Sequence, residues 1–470
     1  MYLQDSLDKV NSNQHVIEVF GLGYVGFPLA VRLAISGHKV FGIDTDSKKI
    51  ENLKKNFIMT SHHELAEAFS SSIQSGNFIP VIAPEKSNLP KVGIICVPTP
   101  IPDGKNNSET YVFSAVKNFL DTAKKGDIII LESSVRVGTT NEVIKMIENR
   151  GYTVGVDFGA GFCPERIDPL NQKWKLENIP RVIFASDDIT FEISKKIYSS
   201  VNNSNLHRVS SPKVAEAVKS FENTFRLVNI SLVNELAILC DKLGISVNEV
   251  MSAASTKPFG FMPFTSGAGV GGHCVPKDPT FLLDSGKQIG MNFSSIENAL
   301  EINTMIPKYV AESIQSILQK YNLTNSVLIC GLAYKPDIED MRDSPGFKIA
   351  NNLAKRNIET IAYDPYYDHN LEKKYLIENN LEKLNFKIIN TLDDEFIKNF
   401  GCICIVQHHT KIKNYLDEIY KKSLVQFIYD CQNQMSFNPK SKTILRGLGS
   451  NSLTFESFSA IKHVQEKSSS

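Results

Sequence analysis

The chain has 470 residues, 42% of them apolar, which is enough for two or three domains with separate cores. Lysine plus arginine and aspartate plus glutamate each number 51, which excludes the overall positive field that non-specific nucleic-acid binding needs and makes any anion site local. Eight scattered cysteines form no C-x-x-C pair and show no metal-ligand spacing, and neither a secretory leader in Met1–Gln14 nor a membrane-length apolar run is seen, so the expectation is a soluble cytoplasmic protein with no metal and no membrane or nucleic-acid partner.

Val16–Phe20 is a short apolar run that meets Gly21, and an amphipathic pattern follows from Pro28 to Ala34, predicting strand, tight turn, helix. Further strands are predicted at Lys39–Ile43, ending at Asp44, and at Val92–Val97 and Asp127–Leu131. Short apolar strands alternating with helices imply a parallel sheet covered on both faces. Ser210-Ser211-Pro212 then supplies a capping hydroxyl and a proline suited to a first helical turn. Apolar residues recur at helical spacing from Val214 to Leu239, ending near Gly244, and they exceed one narrow stripe, as a dimerising helix would. The α/β rhythm resumes with strands predicted at Val327–Cys330, Glu359–Tyr363, Cys402–Val406 and Gln426–Tyr429. The expected division is residues 1–211, a helical domain at 212–322, a second α/β domain at 323–450, and a weakly ordered tail at 451–470.

Gly21-Leu-Gly23-Tyr24-Val25-Gly26 sits between a predicted strand and a predicted helix, the context that gives a glycine-rich turn meaning. Gly21 allows the tight turn, Gly23 lets the backbone approach a pyrophosphate, and Gly26 lets helix and strand pack closely. Asp44 follows Gly23 by 21 residues, where a carboxylate can accept from both hydroxyls of an adenosine ribose. NAD is therefore the expected cofactor, although Lys48 or Lys49 offers a partner for the 2′-phosphate of NADP. The alternative is that the glycines serve turn geometry alone.

Gly267-Ala-Gly-Val-Gly271-Gly272-His273-Cys274-Val-Pro-Lys277-Asp278 makes poor helix and poor strand, so it predicts a loop that comes close to a ligand and exposes a thiol. Cys402 and Cys404, alternating along a strand, read instead as packing. An ordinary thiol is only a few per cent thiolate at neutral pH, so Cys274 needs nearby positive charge, for which His273 is one source. A nucleophilic cysteine beside NAD suits oxidation of an aldehyde to an acid, because hydride can leave a thiohemiacetal and water can cleave the resulting thioester.

These pieces, with Val97-Pro98-Thr99-Pro100, Ser133-Ser134-Val135, Pro164-Glu165-Arg166, Lys219-Ser-Phe-Glu-Asn223 and Gly331-Leu-Ala-Tyr334-Lys335-Pro336, resemble the UDP-glucose and GDP-mannose dehydrogenases over nearly the whole chain. The resemblance implies two Rossmann-like, doubly wound α/β domains joined by a central helical domain, a homodimer, a UDP-sugar substrate, and two successive NAD-dependent oxidations of the C6 hydroxyl through a cysteine-linked intermediate. It implies that Cys274 is the nucleophile, that Lys219 and Asp278 position a catalytic water with Asn223 one helical turn away, that Glu165 assists thioester hydrolysis, and that Ser134 lies near the same water. It further implies cofactor contacts at Gly21, Gly23, Tyr24, Val25, Gly26, Asp44, Thr99, Ser134 and Arg342. Substrate contacts are implied at Glu165, Arg166, Lys219, Asn223, Phe264, Gly271 and Lys335. Arg136 and Gln432 depart from the commoner family pattern. The aromatic run Thr256–Phe264 and His273 look like the branch that oxidises UDP-N-acetylhexosamines, with UDP-N-acetylglucosamine favoured and its galacto and manno epimers open. A UDP-glucose dehydrogenase, a two-electron hydroxy-acid dehydrogenase and a non-catalytic nucleotide-sugar sensor are the alternatives.

Overall fold

The computed structural model describes residues 2–58, 65–100, 108–168, 171, 173–203 and 205–450, so the expected tail lies outside the described residues. The chain divides into two compact units, Met1–Glu222 with Thr280–Met291, and Asn223–Pro279 with Asn292–Ser470.

The first unit is built on an eight-stranded sheet. Its strands are β1 (Val16–Phe20), β2 (Lys39–Ile43), β3 (Phe78–Val81), β4 (Lys91–Ile95), β5 (Ile128–Leu131), β6 (Gly159–Phe162), β7 (Arg181–Ala185) and β8 (Leu206–Arg208), in the order β3-β2-β1-β4-β5-β6-β7-β8. The central strands are apolar on both faces, as Ile128–Leu131 shows, because helices cover the sheet on either side. Pro80 is tolerated because β3 is an edge strand. One expectation is corrected: β7 runs antiparallel to β6. Among the described residues the segment joining them holds no helix, so the chain lacks the crossover that a parallel return requires.

The second unit carries an all-parallel sheet of β9 (Ser326–Cys330), β10 (Glu359–Tyr363), β11 (Lys387–Ile389), β12 (Cys402–Ile405), β13 (Phe427–Asp430) and β14 (Ile444–Gly447), in the order β11-β10-β9-β12-β13-β14. The inner order β10-β9-β12-β13 reproduces β2-β1-β4-β5 of the first sheet, the doubly wound pattern in which ligands bind at the carboxyl ends of strands where the winding reverses. Cys402 and Cys404 are fully buried in β12, as packing predicts. The helix expected after Ser211 runs from Pro212 to Leu243, and Ser211 Oγ accepts the Val214 N–H at 3.3 Å. Helices Val247–Ala254, Asp278–Gln288 and Ser294–Lys320 follow.

Candidate functional site

At the end of β1, Gly21 has φ +88°, and a Cβ added there would lie 2.8 Å from the carbonyl oxygen of Cys96, so no other residue fits. A Cβ on Gly26 would lie 2.0 Å from the Gly21 carbonyl oxygen, which is why the helix Gly26–Ile35 can press against the turn. A Cβ on Gly23 would meet nothing within 4 Å, so its backbone faces open space, as a pyrophosphate contact needs. Tyr24 is exposed and Val25 half-buried beside it. Asp44 Oδ2 accepts from the Leu22 N–H at 2.9 Å and from Lys49 Nζ at 2.7 Å, and Oδ1 accepts the Asp46 N–H at 3.0 Å. Burial works to raise the Asp44 pKa, but the Lys49 ammonium and the two N–H groups outweigh it and hold the carboxyl below its ordinary value. Lys49, read from the sequence as a possible partner for a 2′-phosphate, is thus bound to the carboxylate that would accept ribose hydroxyls. The open glycine backbone and the ionised carboxylate fit NAD.

Buried Thr99 follows β4, half-buried Ser134 follows β5, and half-buried Glu165 follows β6, so all three lie at the carboxyl edge of the sheet, past the ends of the three strands that succeed β1 in the sheet order. Ser133, beside Ser134, donates Oγ–H to the Val97 carbonyl at 2.7 Å. Arg166 forks onto Glu222 and donates to the Pro180 carbonyl at 2.9 Å. Lys219 lies on the long helix and is 8% exposed.

In the second unit, Cys274 is exposed on the predicted glycine loop, and its carbonyl accepts the Asp278 N–H at 2.8 Å. Asp278 is fully buried at the start of the helix Asp278–Gln288, where a carboxylate suits the positive end of the helix dipole. Asn223 Nδ2 donates to Asp278 Oδ2 at 2.6 Å, so the structure brings together two residues 55 positions apart. Lys277 Nζ lies 3.8 Å from Asp278 Oδ1. The sequence reading of His273 as a source of positive charge is corrected: burial, then the charges of Lys277 and Arg342, push its pKa down to about 3, so it is neutral at physiological pH.

Two residues that sequence reasoning missed hold this loop. Asn234 Oδ1 accepts the Gly267 N–H at 2.9 Å, while Asn303 accepts the Val270 N–H at 2.6 Å and donates to the Val270 carbonyl at 3.0 Å. Asn303 is buried on an otherwise apolar helix face, a break in pattern that was the available signal, whereas buried Asn234 shares its face with buried Ser231 and carried no such signal. Phe264 is half-buried, its ring centroid 5.9 Å from that of Phe225.

The end of β9 repeats the glycine-turn design. Gly331 has φ +98°, a Cβ on Gly346 would lie 2.5 Å from the Gly331 carbonyl oxygen, and Asp364 Oδ2 accepts the Leu332 and Ala333 N–H groups at 2.6 and 2.8 Å. Lys335 is half-buried just beyond this turn. Arg342 forks onto Asp340, with Nε 2.9 Å from Oδ1 and Nη2 2.5 Å from Oδ2. Among the described residues no group of three or more His, Cys, Asp or Glu side chains is placed to hold a metal ion, and no helix is long and apolar enough to cross a membrane.

Comparison with known proteins matches three models in order: the NAD-binding domain of the UDP-glucose/GDP-mannose dehydrogenase family at residues 15–202, its central domain at 213–305, and its UDP-binding domain at 328–436. A UDP-N-acetyl-D-mannosamine dehydrogenase from Methanococcus aeolicus is 33% identical over 442 residues, 92% of this chain and 94% of the relative. A UDP-N-acetyl-D-glucosamine 6-dehydrogenase from Pseudomonas aeruginosa is 35% identical over 357 residues, 74% of this chain and 82% of the relative. The solved UDP-D-ManNAc dehydrogenase from Pyrococcus horikoshii superposes with a TM-score of 0.79 at 30% identity, covering 92% of this chain and 99% of that one.

Proposed function

This chain belongs to the UDP-glucose/GDP-mannose dehydrogenase family, whose cofactor is NAD, and from that premise we propose that it oxidises the C6 hydroxyl of a UDP-N-acetylhexosamine to the carboxylic acid by way of a thioester on Cys274. The observation that carries the reading is an exposed thiol on a glycine-rich loop, four residues before a fully buried carboxylate that Asn223 orients. A two-electron alcohol oxidation needs no such thiol.

Gly21, Gly23, Gly26 and Asp44 would hold NAD, which when bound supplies the hydride acceptor for both oxidations. The roles of the chain's own residues follow from their chemistry and from the family pattern. Asp278 and Lys219 hold the water that receives the proton of the C6 hydroxyl, and Asn223 keeps the Asp278 carboxylate in one orientation. At the aldehyde stage the Cys274 sulfur bonds to C6, giving a thiohemiacetal whose oxyanion the Lys219 ammonium stabilises, a role worth a few kcal/mol per donor, roughly. Loss of hydride and proton from that adduct leaves the thioester. Glu165 then takes a proton from water as its oxygen adds to the carbonyl carbon, the C–S bond breaks, and the thiol and the acid are released. Ser134, Thr99 and Arg342 serve the cofactor, while Arg166, Phe264, Gly271 and Lys335 serve the sugar and the diphosphate.

Thr256–Phe264 and His273 favour an N-acetylated sugar and, in the reading from sequence, the glucosamine epimer, for which the Pseudomonas relative is named. The relative aligned over 92% of the chain is named for the mannosamine epimer. NADH release from a panel of UDP-N-acetylglucosamine, UDP-N-acetylmannosamine, UDP-N-acetylgalactosamine and UDP-glucose tests the class. Turnover of UDP-glucose well above every N-acetyl sugar would refute it. Phe221, Leu232, Leu239 and Leu243 leave half or more of their surface exposed along one long helix, which supports dimerisation through that face. Light scattering should give twice the chain mass, and Leu232→Glu should halve it.

A further inference from the structure

The cysteine loop and the turn that ends β9 are in contact, and the contact is made through an aromatic ring. A Cβ added to Gly272 (φ +82°) would lie 2.7 Å from Cε2 and 2.8 Å from Cζ of Tyr334, and one added to Gly271 would lie 2.8 Å from Tyr334 Cβ and 2.7 Å from the Asp343 carbonyl oxygen. The two glycines immediately before His273-Cys274 therefore stack their bare backbone on the Tyr334 side chain. The same contact is tied at its rim, where the Gly272 N–H donates to the Arg342 carbonyl at 2.9 Å. Tyr334 is itself fixed from both sides, since its N–H donates to the Asp340 carbonyl at 3.1 Å and its carbonyl accepts from Gln407 Nε2 at 3.0 Å. One residue upstream, the Ala333 N–H is held by buried Asp364. A residue whose backbone is held this firmly, with its ring packed on the two glycines, passes any displacement of the β9 turn on to the cysteine loop, because packed contacts do not deform freely.

We propose that Tyr334 is a positioning residue, which sets the placement of the Cys274 loop according to whether nucleotide occupies the segment Gly331–Pro345. This rests on the reading of Cys274 as nucleophile and on the UDP-binding domain that begins at residue 328. The substrate's nucleotide would thus help to place the thiol that captures its sugar, with the tyrosine ring as the link.

The test uses UDP alone, without sugar or NAD, and reads the rate at which iodoacetamide alkylates Cys274, with Cys274→Ser as the blank. In the wild-type protein saturating UDP should slow alkylation at least threefold. Tyr334→Ala should bind UDP within about threefold of wild type, lose that effect, and cut kcat for acid formation tenfold or more with little change in KM. Tyr334→Phe, which keeps the ring, should restore both, and Gly272→Ala, which crowds the ring from the other side, should behave like Tyr334→Ala. A UDP effect that survives in Tyr334→Ala would mean simple shielding of the thiol and would overturn the proposal, as would a full kcat in that variant. If UDP binds the wild type but leaves alkylation unchanged, the proposal fails while the functional reading stands. If UDP does not bind at all, both fail.

Discussion

Asp364→Asn should destabilise the second unit severely, and the structure allows the cost to be worked out. The carboxylate is 3% exposed and takes four donors: Oδ2 accepts from Leu332 N–H at 2.6 Å, Ala333 N–H at 2.8 Å and His409 Nε2 at 3.0 Å, and Oδ1 accepts from Tyr366 N–H at 2.8 Å. His409 Nδ1 accepts the Asp337 N–H at 3.0 Å, so the imidazole proton sits on Nε2 and points at Asp364. An asparagine that keeps its oxygen toward the first three donors exchanges charge-assisted bonds for neutral ones, a loss of about 1 kcal/mol each. Its amide then faces the Tyr366 N–H, donor against donor, which costs a further 1–3 kcal/mol or so. Contributions in one network do not add fully, and a total of about 3–5 kcal/mol is expected. Urea unfolding followed by tyrosine fluorescence, with UDP affinity measured alongside, reads it. A loss below about 1 kcal/mol would refute the view that this carboxylate organises the turn after β9.

Asp44→Asn removes the charge opposing a 2′-phosphate and releases Lys49, so the ratio of kcat/KM for NADP over NAD should rise at least tenfold; an unchanged ratio would remove Asp44 from ribose recognition. Acid should weaken the first unit through His15, which is 2% exposed and 3.1 Å from the His38 ring nitrogen. Burial first, then His38, lower its pKa from 6.5 to about 4. Both folded and unfolded forms are neutral above pH 6.5, whereas between there and about pH 4 the unfolded chain alone gains the proton. Stability should therefore fall with pH across that window by up to about 3 kcal/mol. His15→Phe should flatten the fall of Tm between pH 6.5 and 4.5, and an identical slope would contradict the assignment.

The parts legible in the sequence were those whose physics is local. β1, β2 and β10 have the expected limits because each is an apolar run stopped by glycine or aspartate at a strand end. β6, Gly159-Ala-Gly-Phe, went unread because its glycines carry no strand signal; a Cβ on Gly159 would lie 2.5 Å from Thr190 Oγ1, so the small residues reflect a helix packed close above. β7 opens with Arg181, a residue that reads as solvent-facing, yet it is buried and paired with Glu132 at 2.8 Å. Pairing across 49 positions cannot be seen along the chain. The thiol loop announced itself through its glycines, whereas its supports did not. Asn234 and Asn303 are two polar residues among many in long amphipathic helices, and Tyr334 is one aromatic a few residues past a strand end. Lys219 and Asn223 gained meaning from the family pattern, since spacing alone makes them a common helix face.

Product stoichiometry decides whether Cys274 carries the substrate through a second oxidation. With a limiting UDP-N-acetylhexosamine, two NADH and one carboxylic acid per sugar are expected. Cys274→Ser should lose acid formation while keeping its fold and its UDP affinity. One NADH per sugar, or full acid formation by the serine variant, would contradict that role for Cys274.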